Sequence, residues 1–223
     1  MLRPALLLAA ALLAACASGD GPATTEAASG ATPPSGLETT PPPPDATTGG
    51  ANDATDLATA DARPATSTGV VSLEGDDEVL DLRLVRYPDL PAPFSTYLPE
   101  SWADDVVASG ETTAVRFTMG EPPFQALLTI SFPSGGAEAA RAQARAILDG
   151  ARDVQEPEVG EPWATFERAF VRDGSYGSVR VGEHAGVPFV VLEEVPFEMG
   201  DGFYPRAALV LDRLRWLDTG AGL

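Results

Sequence analysis

The chain has 223 residues with 33 acidic and 14 basic side chains, which gives a formal net charge of −19 at pH 7. All the basic residues are arginine, and so acidic a chain argues against nucleic acid and anionic lipid headgroups as direct partners, because both attract positive surface. One cysteine and one histidine exclude an internal disulfide and argue against a zinc site, which needs three or four ligands. We expect no metal and no cofactor.

The first segment, residues 1–15, is typical of a secretory signal peptide. Arg3 supplies a positive start, and residues 5–15 are an unbroken run of alanine and leucine. As a helix this run spans only roughly 16 Å, too short for a bilayer core of roughly 30 Å. The length therefore favours the apolar part of a signal peptide over a spanning anchor.

The end of this run, Leu13-Ala14-Ala15-Cys16, resembles the lipobox of bacterial lipoproteins. In that family the cysteine sulfur receives a lipid, the signal is cut just before the cysteine, and the new amino group is usually acylated too. The resemblance implies that Cys16 starts the mature chain and is its lipid attachment site. Several acyl chains give stable anchoring, because each buried methylene contributes about 0.8 kcal/mol. An ordinary secreted protein with an unmodified cysteine is the alternative.

This resemblance predicts a location in the cell envelope, with the lipid bilayer as one partner through acylated Cys16. The domain would face away from the cytoplasm. The small polar Ser18, rather than an aspartate, follows the cysteine by two positions, which resembles the pattern of outer-membrane lipoproteins in a Gram-negative cell.

Residues 16–68 are predicted to be a disordered tether behind the lipidated cysteine. The segment is rich in Ala, Thr, Pro and Gly and contains no aromatic residue, so it cannot bury enough apolar surface to offset its ordering entropy. The prolines at 41–44 favour a stiff polyproline II stretch. A flexible chain of this length has an end-to-end distance of roughly 40 Å, which would hold a domain clear of the membrane.

Residues 69–223 are predicted to fold as a single globular domain, because apolar and aromatic residues now recur periodically. Alternation at period two predicts half-buried strands, and one run, Phe189 to Leu192, is apolar on both faces, which predicts a central strand. Short polar links such as "EHAG" predict hairpins. The predicted strands lie in VLDLRLVRY, FSTYLP, TAVRFTMG, FQALLTISFP, WATFERAFV, GSVRVGEH and VPFVVLEEV.

Two stretches have helical periodicity instead. GAEAARAQARAILDGA places Ala140, Ala144 and Ile147 on one stripe, and Gly150 is its predicted stop. The stretch after Asp201 carries a second stripe, with Pro205 in the first turn, where proline is tolerated. The predicted fold class is therefore α+β, with an antiparallel sheet of about six to seven strands packed with two helices.

The stretch FSTYLPESW at 94–102, the following hairpin and helix, and the closing PFEMGDGFYPRAALVLDRLRW resemble the PsbP-like domain. The resemblance covers most of residues 79–217 and implies a layered sandwich, an antiparallel sheet packed between helices. Members of that family are mostly non-enzymatic binding or assembly factors without a shared catalytic residue. The resemblance therefore implies no catalytic residue here, and it implies a protein partner of unknown identity.

The most unusual local stretch is GDGFYPRA, which places Phe203, Tyr204 and Arg206 at a helix start. Exposed aromatics and arginine dominate binding hot spots, so these three are the candidate binding residues. The structural alternative is that Arg206 pairs with Glu198 or Asp201 and simply holds the turn.

The leading functional hypothesis is a membrane-anchored, non-catalytic binding or assembly module. A first alternative is a hydrolase that uses His184, with a neighbour such as Ser178 or Glu193, or a pair of carboxylates. A second alternative is a calcium-dependent surface module, since the acidic stretch at 74–81 offers oxygen ligands, although without EF-hand spacing.

Overall fold

Eleven strands in two antiparallel sheets form most of the fold in the computed structural model, which describes residues 61–223. The four-stranded sheet has the order β1-β2-β3-β11, with β1 Thr66–Leu73, β2 Asp76–Tyr87, β3 Phe94–Pro99 and β11 Arg215–Trp216. The seven-stranded sheet has the order β4-β5-β6-β10-β9-β8-β7, with β4 Ala103–Ser109, β5 Thr112–Glu121, β6 Phe124–Pro133, β7 Asp153–Gln155, β8 Phe166–Arg172, β9 Ser175–His184 and β10 Val187–Pro196.

Two α-helices complete the described part of the chain: α1 Gly136–Leu148 and α2 Gly200–Asp212, the second preceded by a single 3-10 turn at Phe197–Met199. Each α-helix lies where its periodicity predicts it. Ala140 and Ala144 of α1 are fully buried against valines of β9 and β10. Pro205 is the sixth residue of α2 and lies inside the helix rather than in its first turn as predicted, so the Asp201 carbonyl lacks its usual helical N–H donor.

The predicted fold class, an α+β sandwich built on one sheet of six to seven strands, is wrong. The domain is mostly β, because a second, four-stranded sheet accompanies a seven-stranded one. The strands β1, β4, β7 and β11 were not predicted. No residue of β4 is buried, and β7 and β11 have only three and two residues, so none of these three strands carries a clear alternation. As these strands were missing from the prediction, the second sheet was missing as well.

The main core lies between the two sheets and beneath α2. Phe94 and Leu98 from β3, Phe117 and Leu128 from the larger sheet, and Phe203 from α2 are all fully buried in it. Burying side chains of this size contributes about 1.5–3 kcal/mol each. The larger sheet therefore has two covered faces: α1 packs on one, and the smaller sheet with α2 packs on the other.

The described residues upstream of β1 are hydrogen-bonded to the rest of the domain. β1 begins at Thr66, three residues before the predicted domain start at 69. Upstream of it, Asp61 accepts a hydrogen bond of 2.6 Å from the Ser95 hydroxyl, and Arg63 donates one of 2.7 Å to the Arg213 carbonyl. The predicted signal peptide and the tether up to residue 60 lie outside the described residues.

Candidate functional site

A cleft opens beside helix α2, over the β8–β9–β10 side of the larger sheet. It consists of two adjoining cavities of about 620 and 410 Å³ that share Glu161, Arg180 and Tyr204 as lining residues. We call this space the α2 cleft. Helix α2 forms one wall, the loop that precedes β8 forms another, and the strands form the floor. Its size lies within the usual range of small-molecule sites.

Strand register explains how a charged group reaches the floor of the α2 cleft. Arg180 on β9 lies directly opposite Glu167 on β8, and Ser178 lies directly opposite Glu193 on β10. Residues two apart on one strand share a face of the sheet. All four side chains therefore project from the same face, the one that meets α2.

These four side chains form one hydrogen-bonded network. Arg180 donates from Nε to Glu167 Oε1 at 2.7 Å and from Nη1 to Glu193 Oε2 at 2.8 Å. The Ser178 hydroxyl donates to the same Glu193 oxygen at 2.8 Å. The side chains of Arg180 and Glu193 are only 13% and 4% exposed, so the pair is largely shielded from solvent screening.

The surroundings of Arg180 and of Tyr204 shift the pKa values of these two side chains. Burial by itself would lower the pKa of Arg180, but the charges of Glu193 and Glu167 outweigh burial and raise that pKa, so the guanidinium stays charged. Burial and the charge of Glu193 raise the pKa of the Tyr204 hydroxyl, which therefore stays protonated. The cleft thus presents a fixed cation held between two carboxylates, with a phenol nearby.

Three polar atoms at this site have no hydrogen-bond partner among residues 61–223: Arg180 Nη2, Glu193 Oε1 and the Tyr204 hydroxyl. These three atoms are not fully buried. Trp102 Nε1 in the core, by contrast, is fully buried and also lacks a partner. All three residues line the larger cavity. The cleft therefore offers two donors and one acceptor to a molecule that enters it.

The three predicted binding residues do not share one environment. Phe203 is fully buried and stacks on Trp102, with ring centroids 5.6 Å apart and planes at 4°. Arg206 forms an ion pair with Glu78 of β2, rather than with Glu198 or Asp201. Tyr204 alone of the three lines the α2 cleft.

His184 lies at the end of β9 and is not among the residues that line the α2 cleft. Its Nε2 is 2.8 Å from Asp218 Oδ1, and its ring stacks on Trp216 with centroids 4.2 Å apart. Its side chain is 14% exposed, so it is not a freely exposed hairpin tip. The sequence neighbours proposed for it, Ser178 and Glu193, instead belong to the network around Arg180.

No group of three or more His, Cys, Asp or Glu side chains within residues 61–223 is placed to hold a metal ion. The acidic stretch at 74–81 forms the turn after β1 and the first half of β2. The part of the chain that the structure describes has no helix long and apolar enough to cross a membrane. Cys16 lies outside it.

No family model matches the chain, and no curated protein matches it. The candidate site therefore rests on its geometry. Sequence reasoning missed Arg180, Glu167 and Glu193 as a group because they come from three strands whose order was unknown. A usable signal was present in β10, where Glu193 occupies a buried alternate position among Phe189, Val191 and Val195.

Proposed function

We propose that the protein is a lipid-anchored, extracytoplasmic binding module that holds a ligand in the α2 cleft without transforming it. The proposal has two parts, an anchor at Cys16 and a binding site in the domain. They rest on different observations and are tested separately.

The anchor is supported by the sequence of the first sixteen residues. A short positive start, an apolar run too short to span a bilayer, and Leu13-Ala14-Ala15-Cys16 occur in the order that lipoprotein processing requires. The polar, proline-rich composition up to residue 60 suits a spacer between a membrane surface and the domain.

The variant Cys16→Ser tests the anchor. It removes the sulfur that would receive the lipid, so we expect the protein to leave the membrane fraction and appear uncleaved or in the soluble fraction. Metabolic labelling with a palmitate analogue should mark the wild type and leave Cys16→Ser unlabelled. Equal membrane retention and labelling of both proteins would show that the anchor is wrong.

The observation that carries the binding role is the set of open polar atoms on the floor of the α2 cleft. Arg180 Nη2 and Glu193 Oε1 have no hydrogen-bond partner among residues 61–223, although the side chains that carry them are only 13% and 4% exposed. Both side chains line a cavity of about 620 Å³. A molecule that enters this cavity can therefore bond to both atoms in place of water.

A binding role fits the α2 cleft better than hydrolysis does. Glu193 Oε2 already accepts hydrogen bonds from Arg180 and Ser178 at 2.8 Å each, so this oxygen is not free to exchange a proton with a substrate. His184 is engaged with Asp218 and Trp216 and is not among the cleft lining.

A cleft-filling variant tests the binding role. Ala208 is exposed on α2 and lines the larger cavity, so Ala208→Trp fills the cleft without disturbing the core. Ala142→Trp, at an exposed position of α1 on the opposite side of the larger sheet, is the matched control. Small-molecule fractions from the medium and envelope of the native cell should raise the melting temperature of the wild type and of Ala142→Trp only. An identical response of all three proteins would contradict a ligand in this cleft.

A further inference from the structure

The charge of the α2 cleft limits which ligands it can accept. Five carboxylates and two guanidiniums line its two cavities, which gives the lining a net charge of −3; they are Asp153, Glu161, Glu167, Glu193, Asp212, Arg180 and Arg215. The whole chain is acidic as well, at −19. An anionic ligand would meet repulsion both on approach and inside the cleft, whereas a cation would be attracted at both stages.

Glu193 supplies a specific attachment point for such a cation. Its side chain is 4% exposed, and both of its internal partners bind Oε2, so Oε1 has no partner among residues 61–223. Glu193 also lines the larger cavity. Arg180 is already shared between two carboxylates, so the group of Glu167, Arg180 and Glu193 carries a net charge of −1. A ligand that brings a positive charge and an N–H or polarised C–H donor would neutralise this group.

Two aromatic side chains line the same cavity as Glu193. Tyr204 of α2 lines both cavities and lies beside Tyr176, with ring centroids 5.5 Å apart. Trp163 lines the larger cavity and packs against Phe189, with ring centroids 5.6 Å apart. Aromatic faces attract ammonium groups by the cation–π interaction, most strongly where water is excluded. The apolar side chain of Leu211 completes the wall.

We infer that the α2 cleft binds a small organic cation, an amine or quaternary ammonium compound. Its charged group would lie between Glu193 Oε1 and the ring of Tyr204, and its carbon skeleton against Trp163 and Leu211. The inference rests on the proposed binding function, because it names the ligand class for the same cleft. A free small molecule is favoured by the cavity of about 620 Å³, which lies within the usual range for small-molecule sites.

A pair of isosteric probes tests the inference on the full-length protein in a neutral detergent. Choline carries a quaternary ammonium group, and its uncharged isostere 3,3-dimethyl-1-butanol has the same shape with carbon in place of nitrogen. We expect calorimetry to detect saturable binding of choline, at least about tenfold tighter than dimethylbutanol. About 1 M NaCl should weaken choline binding, because part of the attraction is screened.

Two variants locate the effect. Glu193→Gln removes the charge at the attachment point, and Tyr204→Leu removes the aromatic face at a half-buried position; each should weaken choline binding about tenfold or more. Tyr204→Leu keeps the test valid if Glu193→Gln fails to fold. Ala142→Trp should bind choline like the wild type.

The outcomes separate this inference from the proposed function. Equal affinity for choline and dimethylbutanol would overturn the cation as the ligand class. Absence of choline binding, alongside an extract fraction that stabilises the wild type but not Ala208→Trp, would overturn the cation and leave the binding role standing. Failure of both measurements would overturn the two together.

Discussion

Arg180 is the residue on which the network in the α2 cleft depends. It pairs with both Glu167 and Glu193, and its side chain is 13% exposed. Arg180→Met keeps the length of the side chain but leaves two carboxylates unpaired, so we expect the free energy of unfolding to fall by roughly 3–5 kcal/mol. Chemical denaturation measures this change.

The surface pair of Arg152 and Asp173 supplies the matched control. Their side chains are 70% and 77% exposed, so Arg152→Met should change the free energy of unfolding by less than about 1 kcal/mol. If Arg180→Met were as stable as Arg152→Met, the network would not be the buried, coupled group described above.

Asp61 gives a prediction about pH. Burial alone would raise its pKa, but hydrogen bonds from Arg63 and Ser95 outweigh burial and lower the pKa from 3.8 to about 2. A carboxyl with a lowered pKa stabilises the fold when ionised, so its contribution is present above about pH 4 and is lost as the pH falls toward 2. Asp61→Asn should therefore cost roughly 2 kcal/mol near neutral pH, well under about 1 kcal/mol at pH 2, and progressively less below it.

Denaturation curves of the wild type and Asp61→Asn across this pH range test the prediction. The pKa of Asp104 is also lowered: burial raises it, but hydrogen bonds from Arg83 and Tyr87 outweigh burial. Asp104 is present in both proteins, so its contribution cancels in the comparison. A difference between the two proteins that does not depend on pH would contradict the account of Asp61.

At the scale of elements, helix α2 is held to the core by its buried face and offers its other face to the cleft. Phe203 stacks on Trp102 inside the core, whereas Tyr204 lies at the cleft wall. Phe203→Ala should lower the free energy of unfolding by about 3–5 kcal/mol. Tyr204→Phe keeps the ring and should change stability by less than about 1 kcal/mol, because its hydroxyl has no partner within the described residues.

Thermal or chemical unfolding of these two variants, with circular dichroism as a check of native structure, distinguishes the roles of neighbouring aromatics. A small effect of Phe203→Ala would mean that α2 is not docked through this residue. Phe203 would then be a candidate binding residue again, as the sequence predicts, rather than a core residue.

Periodicity in the sequence predicted some elements and missed others for physical reasons. The strands β2, β5 and β6 and the helices α1 and α2 were found because one face of each is buried and the other is not. β1 was missed because TSTGVVSL is small, polar and interrupted by Gly69. The short β11 exists because it pairs with β3 more than a hundred residues earlier, and such pairing leaves no local pattern.

The site was harder to predict than the elements. Tyr204 was singled out because an aromatic pair beside arginine is unusual in sequence. Glu193 was considered only as a partner of His184, and Arg180 was not considered, because strand order decides that they meet, and β10 lies between β6 and β9. The Asp218 partner of His184 was missed for a similar reason, since it lies 34 residues away in the chain.

At the scale of the whole molecule, acidity and the proposed anchor act together. A chain with a charge of −19 is repelled by anionic headgroups, and a long polar spacer would keep the domain at a distance from them. The same charge raises the local concentration of cations around the α2 cleft. Both features suit the proposed role of a tethered domain that collects a small molecule outside the cytoplasm.

The most direct measurement of this account is native mass spectrometry of the protein purified from the cells that make it. We predict a bound small molecule on the wild type and on Ala142→Trp, released on denaturation, and its loss from Ala208→Trp. Wild-type protein that carries no bound molecule, or equal occupancy in Ala208→Trp, would contradict the claim that the α2 cleft is a binding site.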